Sequence, residues 1–142
     1  MLNGEKRLDF VGVGLNSLDT VLRVPHFPAF NSKLQVRSSA LLPGGQVATA
    51  AVACHRWGLK CRYVGKIGDD RAGQMQRESL EREGLDFELL EATDCASQQA
   101  FILVDESSGE RTILWQRDSR LDVDPSELRQ EWITDARLLH VD

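Results

Sequence analysis

Two polar residues three positions apart, Asn16 and Asp19, follow the run Leu8 to Gly14 (LDFVGVG), and both carry oxygens that accept hydrogen bonds. Farther along, Pro43-Gly44-Gly45 introduces an alanine-rich stretch. If that stretch is helical, two residues without side chains let a ligand touch backbone N–H groups at the positive end of the helix dipole. A hydroxyl-rich or anionic small molecule suits such a place. Asn16 and Asp19 brought beside it would bind the hydroxyls of a sugar. The same residues also serve as a proline-glycine turn and as ordinary loop or capping polars, and spacing alone leaves both readings open.

Other candidates carry less. Asp69-Asp70 resembles a carboxylate pair for acid–base work, but a position just before a helix favours capping. Gly12-Val13-Gly14 begins like a dinucleotide fingerprint; Ser17 stands where the third glycine belongs and the next stretch reads as strand, which argues against a nicotinamide-dependent oxidoreductase. No G-x-x-x-x-G-K-[ST] string occurs. His26, His55 and His140 fall in a loop, a helix and a strand without metal or triad spacing. Cys54, Cys61 and Cys95 lack close C-x-x-C pairing, so reduced, packed thiols and no metal site are expected. Trp57, Trp115 and Trp132 are expected in core or hairpin packing.

The elements that must position these residues follow from periodicity and punctuation. Leu8 to Gly14 reads as a buried strand, and Thr20 to Val24 and Leu34 to Leu42 as half-exposed strands around a proline-rich loop. Val47, Ala50, Ala51, Cys54 and Trp57 recur at helical steps, with Gly58 as the stop. Cys61 to Gly68 reads as strand, the stretch from Asp69 or Asp70 to Glu83 as a helix stopped by Gly84, and Phe87 to Leu90 as a short strand. Gln99 to Asp105 and Arg111 to Trp115 form a hairpin around Gly109. Asp124-Pro125-Ser126-Glu127 is a capping signature for a helix running to about Thr134, and Leu138 to Val141 is a last strand. Strands alternating with helices mean an α/β fold with a parallel sheet, whose ligands sit at the carboxyl ends of its strands.

Composition narrows the function class. The 142 residues are 42% hydrophobic and 27% charged, enough for one sizeable core. The net charge of −5 comes from 17 basic and 22 acidic residues without blocks of one sign, which disfavours nucleic acid and a membrane surface as partners. The N-terminal stretch Met1 to Phe10 is charged where a signal peptide is apolar, so a cytoplasmic location is expected.

Taken in order, G-x-N-x-x-D (Gly14, Asn16, Asp19), P-G-G-x-x-A-x-A-A-V-A before W-G (Pro43 to Gly58), V-G-x-I-G-D-D-x-x-G (Val64 to Gly73), G-L-D (Gly84 to Asp86) and A-x-I-x-V-D…G-E-R-T-I (Ala100 to Ile113) resemble the PfkB, or ribokinase-like, carbohydrate kinases over nearly the whole chain. The resemblance implies a three-layer α/β/α domain with a small β lid near residues 20–24, 34–42 and 99–115. It also implies transfer of the ATP γ-phosphate, with Mg2+, to a sugar or nucleoside hydroxyl. Asn16 and Asp19 would be the sugar-binding pair, and Gly44 and Gly45 the hinge glycines beneath the substrate. Thr49 stands where the family commonly has Asn and keeps a hydroxyl but no amide donors. Together with Ser97-Gln98 ahead of Ala100 it resembles the branch containing sulfofructose kinases, and Gln98 joins the substrate-binding set.

The family's D-T-x-G-A-G-D segment, which carries its base and anion hole, has no counterpart in the 142 residues. The resemblance therefore implies residues 1–142 as the N-terminal part of a ribokinase-like domain, with no catalytic residue and few ATP contacts, inactive alone. A non-catalytic sugar-binding or regulatory module on the same scaffold is the alternative. Paired lids in ribokinase-like relatives imply a homodimer.

Overall fold

The computed structural model describes residues 7–142; most of the charged N-terminal stretch, residues 1–6, lies outside the described residues. The chain folds into two four-stranded sheets. The first contains β1 (Leu8–Val13), β4 (Cys61–Gly68), β5 (Asp86–Ala92) and β8 (Ala136–Val141), in the order β5-β4-β1-β8 with every neighbour parallel. The second contains β2 (Ser17–Val24), β3 (Ser38–Gly44), β6 (Gln99–Asp105) and β7 (Arg111–Gln116), in the order β3-β2-β6-β7. Its outer pairs are antiparallel and its central pair β2–β6 is parallel. The expected main sheet and small lid are therefore both present.

Helices α1 (Gln46–Arg56) and α2 (Arg71–Glu83) cover one face of the first sheet. Phe10 and Tyr63 from the strands pack there against Val47, Ala48, Ala51 and Leu80. The alanines let α1 lie close, and so does Gly12: a Cβ on it would stand 2.6 Å from the Val47 side chain. The glycines of the Gly12-Val13-Gly14 run thus serve packing. Val11, Val13 and Val64 face the other way, against Leu128, Trp132 and Ile133.

That second layer departs from the expected single helix. Asp124 and Glu127 do form the capping box, but it closes one 3-10 turn, Pro125–Glu127, and Leu128 is extended. The Glu127 carboxylate, besides reaching back to the Asp124 N–H, takes the Lys66 ammonium of β4 at 2.7 Å, which holds the turn against the sheet. A four-residue α3 (Gln130–Ile133) then seats Trp132. Two other expectations need correction. The lid strand β3 starts at Ser38, because residues 34–37 have no sheet partner and the Arg37 N–H donates to the Arg23 carbonyl at the margin. Trp57 is 82% exposed, since α1 ends at Arg56 and the chain turns away through Gly58 at φ 89°.

Candidate functional site

The carboxyl end of β1, the start of β2 and the start of α1 meet at one place. Gly45, at φ 93°, precedes α1, which no side chain caps. A Cβ on Gly45 would run into the backbone of Leu15 and Asn16, and one on Gly44 into the Asp19 carboxylate. The Ala48 N–H donates to the Leu15 carbonyl at 3.1 Å. The glycine pair is therefore more than a turn. It lets the β1–β2 loop lie against the helix entrance, so that the half-buried Asp19 carboxylate stands at Gly44.

Side chains that sequence reasoning missed fix this loop. Tyr63, with no exposed surface, donates its hydroxyl to the Gly14 carbonyl at 2.7 Å and accepts the Asn16 amide at 2.9 Å. Burial pushes its phenol well above the ordinary value, so it remains a donor. The Ser17 hydroxyl donates to Asp19 at 2.6 Å, and the Leu15 N–H to Asp142 at 2.9 Å. Asn16 thus gives one amide hydrogen to the scaffold and keeps its oxygen, while Asp19 keeps a second oxygen against Gly44.

Thr49 is exposed on the first turns of α1 and lines the same groove as Asn16 and Gly44. Gln98 stands at one remove: its carbonyl accepts the Leu18 N–H at 3.1 Å, and its side chain does not line that groove. Asn16, Asp19, Gly44, Gly45 and Thr49 are thus brought together, with Gln98 beside β2 just ahead of β6.

Asp69 and Asp70 are structural. Asp70 caps α2 through the Gly73 N–H and also holds the Ser97 hydroxyl and N–H, while Asp69 accepts the N–H groups of Asp94 and Cys95. Burial raises the Asp70 pKa, yet the hydrogen bonds from Ser97 and Gly73 outweigh it and the net shift is downward. The Asp94 and Cys95 N–H groups lower that of Asp69. Gly68 belongs to the same lock, because a Cβ there would meet the backbone of Cys95 and Ser97. The lock fixes residues 94–97 and so the entry to β6.

The lid register places Leu42, Asp19, Ala100 and Trp115 in one row on one face. Trp115 is 67% exposed, so this part of the expected packing also needs correction. The adjacent row, Leu41, Thr20, Phe101 and Leu114, points to the opposite face. Among the described residues no group of three or more His, Cys, Asp or Glu converges to hold a metal ion. No helix among them is long and apolar enough to cross a membrane.

The family sequence model described as pfkB family carbohydrate kinase matches residues 9–142. The chain belongs to the pfkB family. It is 30% identical over 97% of its length to a probable fructokinase-4 of Arabidopsis thaliana, and 27% identical over 87% to an ATP-dependent ribose-1-phosphate kinase of Halopiger xanaduensis. These alignments span 41% and 42% of the two relatives, so the pfkB chain covers about two fifths of their length. The crystal structure of a putative ribokinase from Agrobacterium tumefaciens superposes with a TM-score of 0.85 at 28% identity, covering 94% of this chain and 44% of that one. The family implies ATP use, and the ribokinase-like α/β fold agrees with the architecture above.

Proposed function

We propose that these residues form the acceptor-binding and lid part of an ATP-dependent kinase that phosphorylates a sugar hydroxyl. The observation that carries this reading is the Asp19 carboxylate held at Gly44 beside a helix entrance that no side chain caps. A carboxylate there accepts hydrogen bonds from sugar hydroxyls, while the first-turn N–H groups not taken by the Leu15 carbonyl favour electron-rich oxygens. Leu42 and Trp115, in Asp19's own row, suit the apolar C–H face of a sugar. The names of the fructokinase relatives support a ketohexose acceptor. Of the pattern resembling sulfofructose kinases, Thr49 stands at the site, whereas Ser97 is taken by Asp70 and Gly68.

ATP with Mg2+ would supply the phosphoryl group. Among the described residues no three or more His, Cys, Asp or Glu side chains converge to hold the ion. What this chain contributes is position, and phosphoryl transfer depends largely on positioning and electrostatics. The lid's second face, with Leu41, Phe101 and Leu114 all exposed, supports pairing of two lids in a homodimer. Sedimentation at micromolar concentration tests that, and a persistent monomer refutes it.

Asp19→Ala in the kinase-competent protein tests the main reading. Losing a charged hydrogen bond removes roughly 1.5–3 kcal/mol, so kcat/KM for fructose should fall about 10- to 150-fold with ATP affinity unchanged. An unchanged kcat/KM removes Asp19 from the site. Sugar binding without phosphoryl transfer in the native protein would instead select a non-catalytic sugar-binding module on the same scaffold.

A further inference from the structure

Among the described residues, the buried Gln76 Oε1 of α2 has no hydrogen-bond partner, although Gln76 is only 2% exposed. Its Nε2 donates to the Gln98 carbonyl at 2.9 Å, which fixes the amide, because turning it over would set oxygen against oxygen. A buried acceptor without a donor is costly, and native structures nearly always supply one. Gln76 lines a groove of about 290 Å³ between α1 and α2. One end of that groove is the candidate site, through Asn16, Gly44 and Thr49, and the other is closed by the Arg56–Glu83 ion pair. From Thr49 to Arg56 the helix rises about 10 Å, longer than a single sugar ring needs. The walls combine apolar Val52 and Leu80 with the hydroxyls of Thr49 and Ser79.

We propose that this groove is a specificity subsite for a second, hydroxyl-bearing ring attached to the phosphoryl acceptor, with Gln76 Oε1 accepting a hydrogen bond from one of its hydroxyls. The ring's C–H face lies on Val52 and Leu80. The inference rests on the sugar-kinase reading above and deepens it by naming the acceptor class as disaccharides or comparable glycosides. The Arg56–Glu83 pair limits the extension to about one ring.

The test compares fructose with the glucosyl-fructoses turanose, maltulose and palatinose, which carry the second ring on different carbons, using the native, kinase-competent protein. At least one disaccharide is expected to be phosphorylated with a kcat/KM equal to or above that of fructose. Gln76→Met, which keeps length but removes the acceptor together with the Nε2 donor to the Gln98 carbonyl, should lower that value about tenfold and leave fructose within about twofold, because that carbonyl keeps the Leu18 N–H. Val52→Phe, which fills the groove by a different route, should have the same selective effect, so the outcome does not hang on one variant folding. Phosphorylation of fructose but of no disaccharide overturns the subsite and spares the sugar-kinase reading. Equal losses on both substrates, or none on either, show that the groove holds only water and also overturn it. Phosphorylation of no sugar at all overturns both.

Discussion

Tyr63→Phe isolates the joint between the sheet and the site. The substitution removes one oxygen from a side chain with no exposed surface and leaves two groups without partners, the Gly14 carbonyl formerly at 2.7 Å and the Asn16 amide at 2.9 Å. Each unsatisfied buried group costs about 1–3 kcal/mol. Gly14 is half-buried and recovers part of its loss from water, whereas Asn16 is 6% exposed and cannot, so a total of about 2–4 kcal/mol is expected. Urea unfolding should show a lower midpoint at unchanged slope, and thermal unfolding a drop of roughly 6–12 °C. The second readout is functional: Asn16 loses the partner that aims it, so KM for the sugar should rise while ATP affinity stays fixed. Asn16→Ala in the Tyr63→Phe background should then add little to the destabilisation, because the two share one hydrogen bond, while KM rises further as the contact of Asn16 itself with the sugar is lost. A destabilisation under about 0.5 kcal/mol would refute the network and with it the claim that the β1–β2 loop is held from below.

Other outcomes follow from the same geometry. Gly45→Val places a branched side chain at φ 93° and against the Leu15–Asn16 backbone, so it should be destabilised by more than about 2 kcal/mol in urea and should lose sugar binding. Asp69 and Asp70 have lowered pKa values when folded, so their contribution is fully present above about pH 4 and disappears as pH falls through those lowered values. The urea midpoint should therefore drop below pH 4, and Asp70→Asn should flatten that dependence. Burial pushes the Cys61 thiol up to about 11 and raises that of Cys95, so in the folded protein a disulfide reagent should modify the half-buried Cys54 first. Early modification of Cys61 would contradict its burial.

Local pattern carried much of the fold. Glycines mark the stops of both long helices, with Gly58 and Gly84 in positive φ, and the hairpin around Gly109 is where its turn chemistry demands it. The misplaced elements are those settled by distant partners. Nothing near Glu127 announces that Lys66, 61 positions away, will hold it and stop a helix after one turn. Trp57 continues the apolar stripe of α1 on paper, but the helix has ended by then. At the site, the polar residue types and the glycines were legible, because few residues tolerate those backbone positions. Tyr63 reads as one more member of an apolar strand, and only the parallel register of β1 and β4 brings its hydroxyl under Gly14. Gln76 likewise sits unmarked in a helix of otherwise ordinary amphipathic pattern.

The strand order β5-β4-β1-β8 has a kinetic consequence. β1 leaves the ribosome before the other described strands, yet its partner on one side, β8, comes 128 positions later, as the Leu8–Ala136 pairing shows. β2 waits in the same way for β6, some eighty positions on. Closing loops of that size before any contact rewards them makes folding slow, and the middle of both sheets stays unpaired on one side during synthesis. β1 is apolar there and β2 half-apolar, so for that interval each is a template for another nascent copy. Slower translation ahead of β6 and β8 would lengthen the exposure, and a chaperone that shields extended apolar segments would shorten it.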